Sequence, residues 1–294
     1  MIVVAVALVA VMAMAALVID VGGMEQERRE LQNGADAGAL SVAHSCALGQ
    51  AACATPTTEA TTLAGSNASD GASAVDGVSV DLAAHTVTVR TSTRSSGGSA
   101  LLPFRFAKGG TTIHATAQAA WGAPAHLTTL PLAMSRCEFD AVAFGAATVV
   151  FHTSKATTNC PHGPAGKDVA GGFGWLDPSS SGACSAGIDA GGTASGNTGV
   201  SAPGACNLSA LLGKTLLVPI FDGVVLTGTN ATYHIVGFGA FVLTGYRFPS
   251  ASAGAPPPCK SPDTCLGGTF TQFVTDPGSI GGSDFGVSVV KLVK

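Results

Sequence analysis

Val18-Ile19-Asp20-Val21-Gly22-Gly23-Met24-Glu25-Gln26-Glu27-Arg28-Arg29-Glu30-Leu31 is where this 294-residue chain changes its surroundings. Upstream, residues 1–19 contain no polar or charged side chain. As a helix rising 1.5 Å per residue they cover about 28 Å, roughly the hydrocarbon thickness of a bilayer. Downstream the sequence turns polar but holds no proline before Pro56, so nothing obliges the helix to stop at the membrane surface. Glu25 stands four residues before Arg29, and Gln32 four before Asp36, so the polar face supports itself. The spacing predicts one long helix that starts in lipid and runs outward to residue 46.

The other face of its outer half is small. Leu31, Ala35, Gly38, Val42 and Cys46 recur at intervals of three or four, a stripe that lets another backbone come close. Two occupants satisfy it. A partner's helix would make Leu31, Gln32, Ala35, Asp36, Gly38 and Val42 a docking surface; the chain's own downstream domain would make them core.

The apolar span, Val18-Ile19-Asp20-Val21-Gly22, the short charged segment after it, and Arg29-Glu30-Leu31-Gln32-Asn33-Gly34-Ala35-Asp36-Ala37-Gly38-Ala39-Leu40 resemble the N-terminal region of the TadE/TadG-like proteins of the bacterial Flp (Tad) pilus-assembly system. The remainder is similar to the extracytoplasmic portion of the longer, TadG-type members. The resemblance implies a non-enzymatic, membrane-anchored assembly component whose partners are other pilus-assembly or envelope proteins. A pilin precursor carries its processing glycine and nearby glutamate ahead of the apolar helix, whereas Gly23 and Glu25 follow this one. That difference implies an accessory or minor pilin-like component rather than the main polymerising subunit. No basic residue precedes the span in this sequence, so the positive-inside rule gives little help with its orientation.

Cysteines indicate the compartment. Cys46, Cys53, Cys137, Cys160, Cys184, Cys206, Cys259 and Cys265 all follow the apolar segment, are even in number and form no C-x-x-C pair. Four disulfides in an oxidising space are the economical reading. It agrees with a single-pass protein of the cell membrane whose C-terminal domain is extracytoplasmic. Proximity favours Cys46–Cys53 and Cys259–Cys265 as local bridges. The four cysteines from 137 to 206 admit three pairings, of which Cys137–Cys160 with Cys184–Cys206 is favoured, again on proximity alone. A cleaved signal peptide is the rival for residues 1–19, with Ala13-Met14-Ala15 imitating a cleavage site. The missing charged n-region, the long apolar run and the helical sequence beyond it favour a retained anchor.

The fold class is α+β: a transmembrane helix extended outward (residues 1–46), a small α/β unit (47–124) and a mainly-β, disulfide-tied domain (125–294). Ala47-Leu48-Gly49 stops the first helix, and residues 55–68 form a second, with Thr55 as N-cap and Pro56 at the first helical position. Residues 78–82 and 86–91 alternate around Ala83-Ala84-His85 and predict a hairpin, and residues 111–121 a further strand. Beyond residue 127 the candidate strands are 147–151, 215–221, 232–243, 269–274 and 285–293. The Gly/Ser/Pro-rich stretch 155–210 reads as loops tied by disulfides.

Motifs for chemistry are missing. The sequence holds no G-x-S-x-G, no P-loop, no H-E-x-x-H and no EF-hand loop, and so gives no cofactor, metal or small-molecule substrate. A net charge of −4 without a basic cluster excludes nucleic acid as a partner. Gly171-Gly172-Phe173-Gly174-Trp175-Leu176 is the most distinctive loop candidate, with Phe173 and Trp175 either offering a contact surface or plugging the core beneath the loops. A released adhesin or carbohydrate-binding module is the alternative to the assembly protein.

Overall fold

The computed structural model describes residues 2–95, 97–99, 102–103, 110–142, 144–152, 172–199, 206–225, 230–249, 251–254, 256–275 and 278–293. The chain divides into two compact units: Met1–Trp121 together with Val290–Lys294, and Gly122–Val289. The long helix and the small α/β portion thus share one unit.

In the first unit, helix α1 (Ile2–Ala47) runs unbroken from the apolar span into the polar stretch. Arg29 Nε meets Glu25 Oε1 at 3.1 Å, and Gln32 Nε2 donates to Asp36 Oδ1 at 2.7 Å. The helix ends where Gly49 adopts φ 60°, a conformation that costs glycine least. Cys46 is then bonded to Cys53. Helix α2 (Pro56–Asn67) starts with Pro56 in its first turn; Thr55 sits at the N-cap position, but its side chain makes no capping hydrogen bond.

Strands β1 (Ser73–Asp81) and β2 (Thr86–Thr93) pair as an antiparallel hairpin. His85 takes φ 52° in the turn, and Asp81 Oδ1 accepts from the backbone N–H groups of Ala83 and Ala84. The strand His114–Gly122 pairs with the far side of β2, and Val293 N–H donates to Gln118 O, bringing the end of the chain into the same unit. One face of this sheet, Val87 and Val89 with Ala115, Ala117 and Ala119, is buried, as are Ala60 and Ala64 of α2 and Leu31, Ala35, Ala39, Val42 and Ala43 of α1. This core holds mostly alanine and valine. It closes because the backbones are close, and not because large side chains fill it.

The second unit is built the opposite way. The 18-residue strand Ala231–Phe248 pairs with Thr215–Val225 on one side and with Cys265–Thr271 on the other. Thr215–Val225 pairs in parallel with Leu132–Ser135, which pairs with Phe173–Leu176; that strand pairs with Thr193–Asn197, which returns to residues 231–234. Five strands therefore close into a ring, which leaves no free edge among them. One aromatic-rich core contains Phe173, Trp175, Phe241, Phe248, Phe270 and Phe285, and a second contains Phe221, Tyr233, Ile235 and Phe238. Burial pushes the phenol of Tyr233 up to about 12, and its hydroxyl donates to Asn197 O at 3.3 Å.

Two sequence readings need correction here. Within residues 155–210, the segments Phe173–Leu176, Ala186–Asp189 and Thr193–Asn197 are strands and not loops; residues 153–171 lie outside the described set. Glycine in these segments reflects close approach. A Cβ on Gly174 would collide with the Tyr233 hydroxyl, and one on Gly196 with the backbone of Trp175. The candidate strands 269–274 and 285–293 each divide: Cys265–Thr271 and Phe273–Thr275 join different neighbours, as do Ser283–Phe285 and Val287–Leu292.

Candidate functional site

The feature that sets this molecule apart is the contrast along α1. Its N-terminal part is exposed apolar surface: Val4 is 71% exposed, Leu8 60% and Leu17 64%. The helix is long and apolar enough to cross a membrane, and its most apolar 18-residue window has no buried share. Some eighteen residues of bare aliphatic surface far exceed the single scattered apolar residues normal on a protein in water. A lipid environment removes that cost.

Outward of the span, residues 20–29 form an exposed stalk with Asp20, Met24 and Glu27 partly covered. Burial begins in earnest at Leu31, which is 2% exposed; Ala35 and Val42 are 0% exposed, and Gly38 is buried. The occupant of the stripe is the chain itself. A Cβ on Gly34 would stand 3.0 Å from Ala64 Cα, and one on Gly38 3.4 Å from Ala60 Cα and 3.5 Å from Val89 Cγ1. Ala60 and Ala64, four residues apart on α2, are the complementary small stripe. That spacing was a signal available in the sequence.

Polar groups fix the register of this contact. Thr91 Oγ1 donates to Leu31 O at 2.9 Å, capturing a backbone carbonyl of the helix from the sheet. Gln32 Nε2 also reaches Thr116 O at 3.4 Å. Glu59 of α2 accepts from the hydroxyls of Ser41 and Ser45 on α1, the latter at 3.1 Å to Oε2. Nearer the stalk, Glu30 Oε2 accepts from Ser69 N–H at 2.8 Å and from Ser69 Oγ at 3.0 Å. Burial alone would raise the Glu30 carboxyl, but these donations and that of Gln26 outweigh it and hold Glu30 below the usual carboxylate range. Glu27 moves the other way. Burial first, then the negative charges of Asp70 and Glu30, raise it, while the Thr93 hydroxyl offsets part of the rise.

The remaining candidates fall elsewhere. Cys184 is bonded to Cys206 and Cys259 to Cys265. Cys137 is disulfide-bonded, and Cys160 lies outside the described residues. Phe173 and Trp175, each 2% exposed, sit in a strand and pack on Phe248 at ring-centroid distances of 6.0 and 6.2 Å. They are core and offer no surface for a ligand, because both faces of their strand are covered. Among the described residues no three His, Cys, Asp or Glu side chains gather as a metal site would require.

The exposed span and most of the small-residue stripe that packs on α2 lie in a stretch with a known family likeness. Residues 1–45 match the Tad family model, Flp pilus-assembly TadE/G-like. The TadE/G-like segment thus covers the apolar span, the stalk and nearly all of the clamped half of α1. No curated protein and no solved structure matches the chain.

Proposed function

We propose that this protein is a non-enzymatic, membrane-anchored component of bacterial Flp/Tad pilus assembly, an accessory or minor pilin-like subunit. Residues 1–19 hold it in the membrane, and the two folded units stand on the extracytoplasmic side. The observation that carries this reading is the coincidence, in one continuous helix, of the TadE/G-like match with a bare apolar span. The disulfides support the oxidising side of the membrane.

The small-residue stripe serves as the joint between anchor and domain. Docking of Leu31, Ala35, Gly38 and Val42 on a pilus partner would require undoing the chain's own packing, which buries them here with α2 and the sheet against Gly38. Partner contact through α1 is therefore assigned to the exposed stalk, residues 20–29.

Cross-linking in the cell envelope, with identification of what is captured from positions 22 and 26, tests the class. Pilus-assembly components are the expected catch, and capture of unrelated envelope proteins alone defeats it. Protease added to spheroplasts should digest the folded units and leave a short N-terminal fragment. A wholly protected chain would reverse the topology.

A further inference from the structure

The face of the first unit's sheet turned away from α1 is polar and arranged in rows. Cross-strand register sets Gly77 opposite Arg90 and Arg90 opposite Thr116; Ser79, Thr88 and Gln118 form the row on one side, and Ser92 with His114 the row on the other. Adjacent strands lie about 4.8 Å apart, so side chains within a row are in reach of one another. The middle row has a gap. Gly77 carries no side chain, and a Cβ built there would meet nothing within 4 Å. Above it opens a concavity of about 740 Å³, lined by Gly77, Ser79, Thr88, Arg90, His114 and Thr116 among others.

Its walls are already held. The β-bulge between Val75 and Gly77 turns Asp76 toward this face, where Asp76 Oδ1 accepts from Ser92 Oγ at 2.6 Å and Oδ2 meets His114 Nδ1 at 3.2 Å. Gln118 Nε2 donates to Thr88 Oγ1 at 3.3 Å. Arg90, by contrast, is exposed and has no carboxylate within ion-pair distance among the described residues. The Gly77 gap thus stands between side chains that are already held and beside a guanidinium with no ion-pair partner among the described residues.

We propose that this concavity binds an acidic saccharide, with the sugar's carboxylate on the Arg90 guanidinium and its hydroxyls on Ser79, Thr88, Thr116 and Asp76. A guanidinium fork matches a carboxylate in bidentate geometry. Hydroxyl and carboxylate side chains together both donate to and accept from sugar hydroxyls. The volume suits a small organic ligand and far exceeds a lone inorganic anion. Among the described residues no Phe, Tyr or Trp lines the site, and the His114 imidazole is already engaged by Asp76, so neither a nucleobase nor a neutral sugar finds a broad stacking platform. With a net charge of −4, the protein as a whole does not attract polyanions, so recognition must be local. The inference stands whether or not the pilus reading holds.

The test titrates the full chain in detergent micelles with tetragalacturonate and, separately, with a neutral glucose tetramer, reading affinity by calorimetry. The acidic tetramer should bind at least tenfold more tightly than the neutral one. Arg90→Gln should weaken it about tenfold or more, as loss of a charge-assisted contact does. Gly77→Leu, whose backbone needs no left-handed conformation, should fill the gap and abolish binding while the unfolding transition stays in place. No binding by the wild-type chain, equal binding of the neutral tetramer, or undiminished affinity in Gly77→Leu would overturn the proposal. Should Gly77→Leu misfold, Arg90→Gln, a surface change, decides the matter alone.

Discussion

The two ends of α1 are the same secondary structure put to contrary use. Residues 6–19 are exposed at almost every position, with no share of the apolar window buried, whereas from Leu31 to Ser45 one face is sealed against α2 and the sheet. What separates them is side-chain size and polarity, because both are equally helical. Large aliphatic side chains spread outward suit a fluid apolar solvent, which asks for no shape. Alanine and glycine at intervals of three and four suit one fixed neighbour at close range. The lesson is that a continuous helix can be divided into an insoluble half and a structural half without a break, by composition alone.

The comparison breaks most visibly if the halves depend on each other. Deleting residues 2–19 should move the protein from the membrane fraction to the soluble one almost completely, with the folded units retaining their protease resistance. Loss of that resistance would show that the span also holds up the domain. The next effect is on the clamped half. Gly34→Leu places side-chain volume against the backbone of α2, which cannot step aside as a flexible side chain would. It should cost about 1–3 kcal/mol of the first unit's stability. Gly23→Ala, where a Cβ meets nothing within 4 Å, should leave the same unfolding transition unchanged or raise it by up to about 1 kcal/mol through helix propensity. Denaturant midpoints for the pair decide it, and equal effects would erase the distinction between stalk and clamp.

The smallest effect lies at the boundary itself. Because the carboxyl of Glu27 is raised above its usual 4.5, the folded unit favours its protonated form. That advantage is complete below pH 4.5 and disappears as pH climbs through the raised folded value. At neutral pH the charge of Glu27 is thus a burden beside Asp70 and Glu30, and Glu27→Gln should stabilise the unit by no more than about 0.5 kcal/mol after solvent screening. The gain should vanish when the melts are repeated at pH 4. A gain that persisted there would assign the effect to packing instead of charge.

Much of this arrangement was legible in the sequence, and the illegible part has physical reasons. Residues 1–19, the Glu25/Arg29 and Gln32/Asp36 spacings, and the alternation on either side of Ala83-Ala84-His85 each encode a local preference, and each forms as a local structure. The occupant of the small stripe was only half legible: Ala60 and Ala64 show a matching small spacing, but small residues specify closeness and leave the neighbour unnamed. Ring closure in the second unit was hidden for a related reason. Gly174 and Gly196 lower the strand signal of their segments, yet they are what permits Tyr233 and the Trp175 backbone to come so near. Trp175 and Phe173 stood out by composition, but their burial depends on Phe248, more than seventy positions later. The concavity over Gly77 depends on cross-strand register, which a linear reading does not supply.

Val290–Lys294 belong to the unit that begins with the membrane helix, and all of Gly122–Val289 lies between. During synthesis at roughly 5–20 residues per second, that interval takes on the order of ten seconds or more. For all that time the first unit waits for its final segment, even though its anchor emerged first. A ribosome that stalls before residue 290 would therefore leave an inserted protein whose first unit is the incomplete one. Synthesis of residues 290–294 thus acts as a check on the fold of the unit that the membrane helix opens.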